Sequence, residues 1–247
     1  MRKPFQGVWN IVRFNWHFYV LAGVLIAFLV TASRFLPDSI RPIASVLYVA
    51  TVTTTAVSLS VSLYVYDLSG LYRFGWLRSL ETDADGCVVN INAGFDETSE
   101  LIKAVHPNTK LIVFDFYDPA RHTEVSIKRA RRAYPPYPGT QAIGTTKLPL
   151  PDHSADCVLL IMSAHEIRSE DERNCFFKEI ARITKPGGKI AVTEHLRDAP
   201  NFLAYNIGFF HFFSQNAWQR TFAQAGLRVT RKIKNTPFVT TFLLERQ

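Results

Sequence analysis

Charge is missing from two long stretches of this chain. Between Phe14 and Ser33, and again between Pro42 and Tyr66, there is no Asp, Glu, Lys or Arg. A helix needs about 20 predominantly apolar residues to cross a bilayer, and each stretch offers that length. Cysteine is scarce as well: Cys87, Cys157 and Cys175 are odd in number and lack CxxC spacing. Neither a disulfide framework nor a zinc site is suggested, and a reducing cytosolic setting fits. The histidines are scattered without zinc-site spacing, so no metal is expected. Internal repeats and low-complexity runs are absent too.

What is present divides the chain in two. Its 247 residues leave room for one ordinary domain and something smaller. The hydrophobic share of 47% is ordinary, but its uncharged part is concentrated at the front. Formal charge is +7. Beside two apolar segments, a basic balance means attraction to anionic lipid headgroups more simply than to nucleic acid. We therefore expect a membrane anchor over residues 1–79, with transmembrane helices at about 14–33 and 43–66, and a second domain over 80–247. A cleaved signal peptide competes for the first segment, but its apolar run is long and a second follows at once. The Ser and Thr of the second segment can bond back to the helix backbone in lipid. Trp9, Trp16, Phe18 and Tyr19 at one end, and Tyr64 and Tyr66 at the other, suit an interfacial belt. Two spans return the chain to its starting side, and the predicted location is multi-pass, with the second domain facing the cytoplasm.

From about Gly86 short apolar runs alternate with amphipathic ones. CVVNINAG, KLIVFDF, ADCVLLIMSA and KIAVTEHL read as buried strands, and Thr98–His106, Pro119–Ala133 and Glu170–Thr184 as helices between them. This pattern predicts an α/β, doubly wound, mostly parallel sheet. The segments after Gly226 and Phe238 add two strands joined through Lys234–Pro237, which end the sheet antiparallel. Ligands in such sheets bind beyond the carboxyl ends of the strands. Those ends carry Asn90-Ile-Asn-Ala-Gly94, Asp115, Thr145-Thr146, Ser163-Ala-His-Glu166 and Glu194-His195.

Leu148-Pro-Leu-Pro-Asp-His-Ser-Ala-Asp156, then Ile180-Ala-Arg-Ile-Thr-Lys-Pro-Gly-Gly-Lys-Ile, then Thr193-Glu194 and the later Ala225-Gly226-Leu follow one another in a fixed order. Together they resemble the class I S-adenosylmethionine-dependent methyltransferases of the ubiquinone/menaquinone-biosynthesis type, over about residues 80–247. The resemblance implies a seven-stranded Rossmann-like sheet, S-adenosyl-L-methionine as cofactor, and Asn90, Asn92, Gly94, Asp115, Thr145 and Ser163 as cofactor-binding residues. The family's glycine loop is eroded here: Asn90 stands for its acid, only the middle glycine (Gly94) remains, and Asp96 stands for the third. Asp96 suits an N-cap for the helix that follows. Asp115, just past the second strand, suits the ribose hydroxyls. Thr145 stands where the family often has an Asp near adenine.

A sulfonium is already a strong methyl donor, so the protein's task is positioning and exclusion of water. For a hydroxyl acceptor a base would help. His165, Glu166, His195 and His211 are the candidates, with His165 foremost because it follows the fourth strand directly. The aromatic stretch Asn201–Phe213 reads either as a buried covering helix or as a lid for an apolar small-molecule acceptor. Lys128, Arg129, Arg131 and Arg132 read as solvated helix surface, with a headgroup patch as the alternative. Three functions follow: a methyltransferase acting on a lipid- or isoprenoid-like acceptor at the membrane, an inactive cofactor-fold scaffold, and a nucleic-acid methyltransferase. The third is disfavoured, because the Asn/Asp-Pro-Pro-Tyr/Phe signature is missing and an anchor restricts access.

Overall fold

The dense Val, Ile, Leu and Phe runs become the interior of a single seven-stranded sheet. The computed structural model describes residues 2–77 and 86–247, so the expected boundary at 79/80 lies outside the described residues. Strands β1 (Cys87–Asn92), β2 (Lys110–Asp115), β3 (Gln141–Ala142), β4 (Ala155–Ile161), β5 (Thr184–His195), β6 (Leu227–Lys234) and β7 (Val239–Arg246) lie in the order β3-β2-β1-β4-β5-β7-β6. The first five are parallel; β7 runs antiparallel to both β5 and β6. Chain order reverses between β1 and β4, which opens a crevice beyond their carboxyl ends. Helices α4 (Ser99–Val105), α5 (Val125–Ala133), α6 (Glu170–Ile183), α7 (Ala199–Tyr205) and α8 (Gln215–Gln224) connect and cover the strands. One core layer is dominated by Phe176, Phe177, Trp218, Phe222 and Phe242; the other joins Phe74 and Leu77 to Ile102, Leu159 and Ala191.

Two expected elements shift. α5 starts at Val125 rather than Pro119, because residues 118–122 close a turn of their own. There Asp118 accepts from the Ala120 amide while its own amide donates to His122 Nδ1. β5 starts at Thr184, not after the Lys-Pro-Gly-Gly turn: Thr184 already pairs with Ala155, and a register shift precedes the main pairing of Lys189 with Cys157. Such an extra-residue irregularity lets a turn sequence remain in the ladder.

The N-terminal part has three helices: α1 (Gln6–Phe14), α2 (Trp16–Ala32) and α3 (Arg41–Leu63), the last widening into a π-helical turn over Tyr64–Leu68. One continuous helical stretch, Arg41–Arg73, is long and apolar enough to cross a membrane; α2 qualifies only together with α1, across a 74° bend. α2 and α3 pack on each other and leave Val20, Leu21, Val24, Phe28, Val46 and Leu47 exposed. On α3 the hydroxyls of Thr51, Thr54 and Thr55 donate to carbonyls four residues back, which satisfies them without water.

α1 behaves differently. Its amides at Gly7 and Val8 donate to the Asp67 carboxylate, each at 2.8 Å, a negative charge at a helix N-terminus. Gln6 and Asn10 donate to Glu97, which also pairs with Arg2 at 3.2 Å. Gly7 is required at this crossing, since a Cβ there would overlap Tyr66. α1 is therefore tied both to the π-helical turn that extends α3, through Asp67, and to the loop after β1, through Glu97.

Candidate active site

The loop after β1 forms one end of the crevice. Asn92 Oδ1 accepts the Gly94 amide at 2.7 Å, and Gly94 turns the chain with φ of 85°, a conformation that suits glycine. Asp96 Oδ1 accepts the amides of Thr98 and Ser99 ahead of α4, the capping role its position implied. Asn90 is buried, and its Nδ2 donates to the hydroxyls of Thr98 and Ser99 at 3.0 and 2.8 Å, which braces α4. The Ser163 hydroxyl donates to the Ile91 carbonyl at 2.9 Å. Asp115, at the tip of β2, accepts the Tyr117 amide with Oδ1 and pairs with the Arg131 guanidinium through Oδ2. Beyond it, Phe116, Asp118, Ile143, Gly144, Thr145 and Glu172 line a cavity of about 330 Å³. Thr145 sits in this wall but donates its hydroxyl to Glu172 at 2.6 Å.

These residues fit the nucleoside and methionyl parts of S-adenosylmethionine. The cavity adjoins the strand-end carboxylate, Gly94 leaves its ligand side without a Cβ, and Asn92 Nδ2 and Asp96 Oδ2 are buried with no partner among the described residues. One group stands in the way: the Arg131 guanidinium covers Gly94 where a Cβ would be and takes one Asp115 oxygen. It is the far end of a long, partly exposed side chain, stacked on Tyr117 at 4.4 Å, and a rotamer change would be needed to withdraw it. The basic cluster on α5 is thus not simply solvated. Arg129 also reaches inward, donating to the Phe14 carbonyl at 2.6 Å and meeting His17 Nδ1 at 2.8 Å. Phe14, Phe95 and Tyr134 close over the loop as an aromatic trio, with Tyr134 donating to Asn10 on α1.

Beyond β4 and β5 lies the other end. His165 and Glu166 occupy a short 3₁₀ turn over Ala164–Glu166, and His211 arrives from a second one over Asn206–His211. The rings of His165 and His211 meet edge to face with centroids 4.9 Å apart. His165 Nδ1 donates to Glu194 Oε2 at 2.6 Å, and its amide donates to Oε1 of the same carboxylate. Burial works against a charged ring here, but the Glu194 carboxylate outweighs it, and the His165 pKa is pushed up to about 9. His211 Nδ1 lies 3.4 Å from Glu124, whose carboxyl the His211 hydrogen bond holds below the usual range. In the sequence Glu194 reads as a strand-end residue with no role of its own; Glu124 carries no signal.

His195 is corrected as a catalytic candidate. Successive residues of a strand face opposite sides, so Glu194 turns to His165 while His195 turns to the N-terminal helices. Its Nδ1 donates to Asn201 Oδ1 and the Phe238 carbonyl, which leaves Nε2 to accept the Tyr66 hydroxyl at 2.8 Å. Burial lowers its pKa to about 4, so it is neutral and closed off. It joins the π-helical turn to the sheet.

Comparison with known proteins agrees with this layout. Residues 117–192 match the family described as methyltransferase domain. No curated protein matches the sequence. Among solved structures, an S-adenosylmethionine-dependent methyltransferase from Aquifex aeolicus is similar at 15% identity and a TM-score of 0.52, over 77% of this chain and 97% of that one. Geranyl diphosphate C-methyltransferase from Streptomyces coelicolor A3(2) is similar at 11% identity and a TM-score of 0.53, over 72% of this chain and 79% of that one. Both likenesses concern the fold. The methyltransferase match and the fold agree in the cofactor they indicate, S-adenosyl-L-methionine. The chain carries a methyltransferase-domain match within a Rossmann-like, seven-stranded methyltransferase fold.

Proposed function

We propose that this protein transfers methyl groups from S-adenosylmethionine to an apolar, lipid- or isoprenoid-like acceptor at a membrane surface, anchored there by α2 and α3 with its site on the cytoplasmic side. One observation carries the reading. The segment that brings His211 to His165 also exposes Phe202, Leu203, Ile207 and Phe210, the last two at 74% and 61%. α7 packs on α3, so this apolar rim continues the bare surface of the helical pair. A wall that is apolar outside and carries a site histidine inside suits an acceptor leaving lipid for the pocket. Confining enzyme and acceptor to one layer raises their effective concentration without any new contact.

When bound, the cofactor supplies an electrophilic methyl group on a sulfonium. Asp115 would accept from the ribose hydroxyls, Gly94 would allow close approach of the backbone, and the cavity beside Phe116 and Ile143 would take the base. On the acceptor side, His165 presents Nε2, and Glu194 fixes the ring through Nδ1. His211 and the buried Glu166 complete a polar floor beneath an apolar rim. For a hydroxyl acceptor, this floor orients the oxygen, with the His165 Nε2–H as a donor because Glu194 favours the protonated ring.

Asp115→Ala is expected to weaken cofactor binding by about 1–3 kcal/mol, the scale of a lost charge-assisted hydrogen bond. Titration calorimetry on the full chain in detergent measures it. A folded wild-type chain that gives no heat at millimolar cofactor would favour the scaffold reading, for which the eroded loop and the Arg131 contact speak. Phe210→Asp should impair methylation of membrane-extracted material while sparing cofactor affinity. Radiolabelled methyl transfer into fractionated extract decides: label only in aqueous metabolites, or lipid labelling undiminished by the variant, removes the apolar acceptor.

A further inference from the structure

We propose that His165, Glu166 and His211 bind a divalent metal ion of the zinc class. Histidines 46 positions apart in sequence, too far for a recognisable spacing, converge here: one donor atom from each of the three residues lies within 4.8 Å of the others. Glu166 Oε1 is 3.6 Å from His165 Nε2 and 3.9 Å from His211 Nε2. Glu166 is only 5% exposed, and its Oε2 has no hydrogen-bond partner among the described residues. A buried carboxylate oxygen is rarely left so, and a cation between the three groups would satisfy it.

The surroundings repeat the logic of an outer shell. Both rings are backed at Nδ1 by a carboxylate, His165 by Glu194 at 2.6 Å and His211 by Glu124 at 3.4 Å. Carboxylates in that position fix the ring and leave Nε2 as the coordinating atom. Both Nε2 atoms point toward Glu166. Three carboxylates thus face the cluster, while Arg168 is pinned beside it by the His165 and His211 carbonyls. A dication would offset the remaining negative charge. Two imidazoles and one carboxylate with a free position make up a catalytic zinc set. Magnesium and calcium prefer oxygen ligands throughout and suit this mixed set poorly. That the free position faces a methyl acceptor rests on the proposed function; the ligand set itself does not. There the ion would hold an acceptor oxygen and favour its deprotonated form.

Metal content tests the site without any turnover. The full chain in detergent, stripped with a chelator, is dialysed against zinc alone, and bound metal is measured by mass spectrometry. One equivalent per chain is expected at micromolar free zinc. His211→Ala and Glu166→Gln should each weaken retention by more than about 100-fold, and Glu124→Gln by roughly 10–100-fold, the cost of an outer-shell partner. His211 lies on a surface segment, a quarter exposed, so its removal leaves the core intact, which circular dichroism checks. A folded wild-type chain that retains no zinc, retention unchanged in His211→Ala, or preference for manganese(II) or iron(II) overturns the assignment. Cofactor calorimetry on the same samples reports separately on the methyltransferase reading.

Discussion

Alanine at position 165 is expected to lower kcat by about 10²-fold, the scale of a misplaced acceptor, with cofactor affinity nearly unchanged. The reason is placement. His165 stands on the acceptor side, held by Glu194 through both its ring and its amide, whereas Gly94 and Asp115 lie at the ends of other strands. An interaction made only in the transition state shows in kcat, not in ground-state binding. Glu194→Gln should reproduce part of the loss, because the ring keeps a hydrogen-bond partner but loses the charge that orients it. Steady-state kinetics paired with calorimetry separate the two quantities. Equal losses in both, or none in either, would take His165 out of the reaction.

The fold itself is expected to weaken on acidification through His195. Its folded pKa is depressed to about 4 by burial, below the ordinary value of about 6.5. Between those values the unfolded chain binds a proton that the folded chain refuses. The stabilisation is therefore complete above about pH 6.5 and is lost as pH falls toward 4, by on the order of 3 kcal/mol. His195→Gln, which has no proton to take up, should flatten the fall in Tm over that window. Identical slopes for the two proteins would show that His195 does not carry the effect. Because the ring accepts the Tyr66 hydroxyl, protonation also breaks a link between the sheet and the N-terminal helices.

Much of this architecture was legible in the amino-acid order. Residues 87–92, 110–115 and 155–161 are dense in apolar side chains because both faces of those strands are covered, and they read as strands for that reason. The antiparallel finish was visible as two β-rich runs around a short Lys-Asn-Thr-Pro link. Side-chain direction was less legible. Asn90 and Ser163 both sit at strand ends, yet their hydrogen bonds run into the protein; nothing in a sequence tells which way a short polar side chain finds its partner. The alternation rule, applied to Glu194-His195, would have separated those two. Residues distant in sequence were the hardest: His211 meets His165, and Arg131 meets Asp115, only because the crevice gathers separate loops. The start of α5 was misread since Asp118 and His122 build a turn from ordinary helix-tolerant residues.

The roof over Gly94 sets a clock as well as a shape. Phe14, Phe95 and Tyr134 lie above the loop, the Arg131 guanidinium beneath them, and α1 is tied down through Glu97 and Asp67. In the proposed reaction, spent cofactor and fresh cofactor would exchange past these groups once in every cycle. Departure would require the Arg131 guanidinium to swing and the aromatic cover to part, so a local opening, and not diffusion alone, would set how long the site stays occupied.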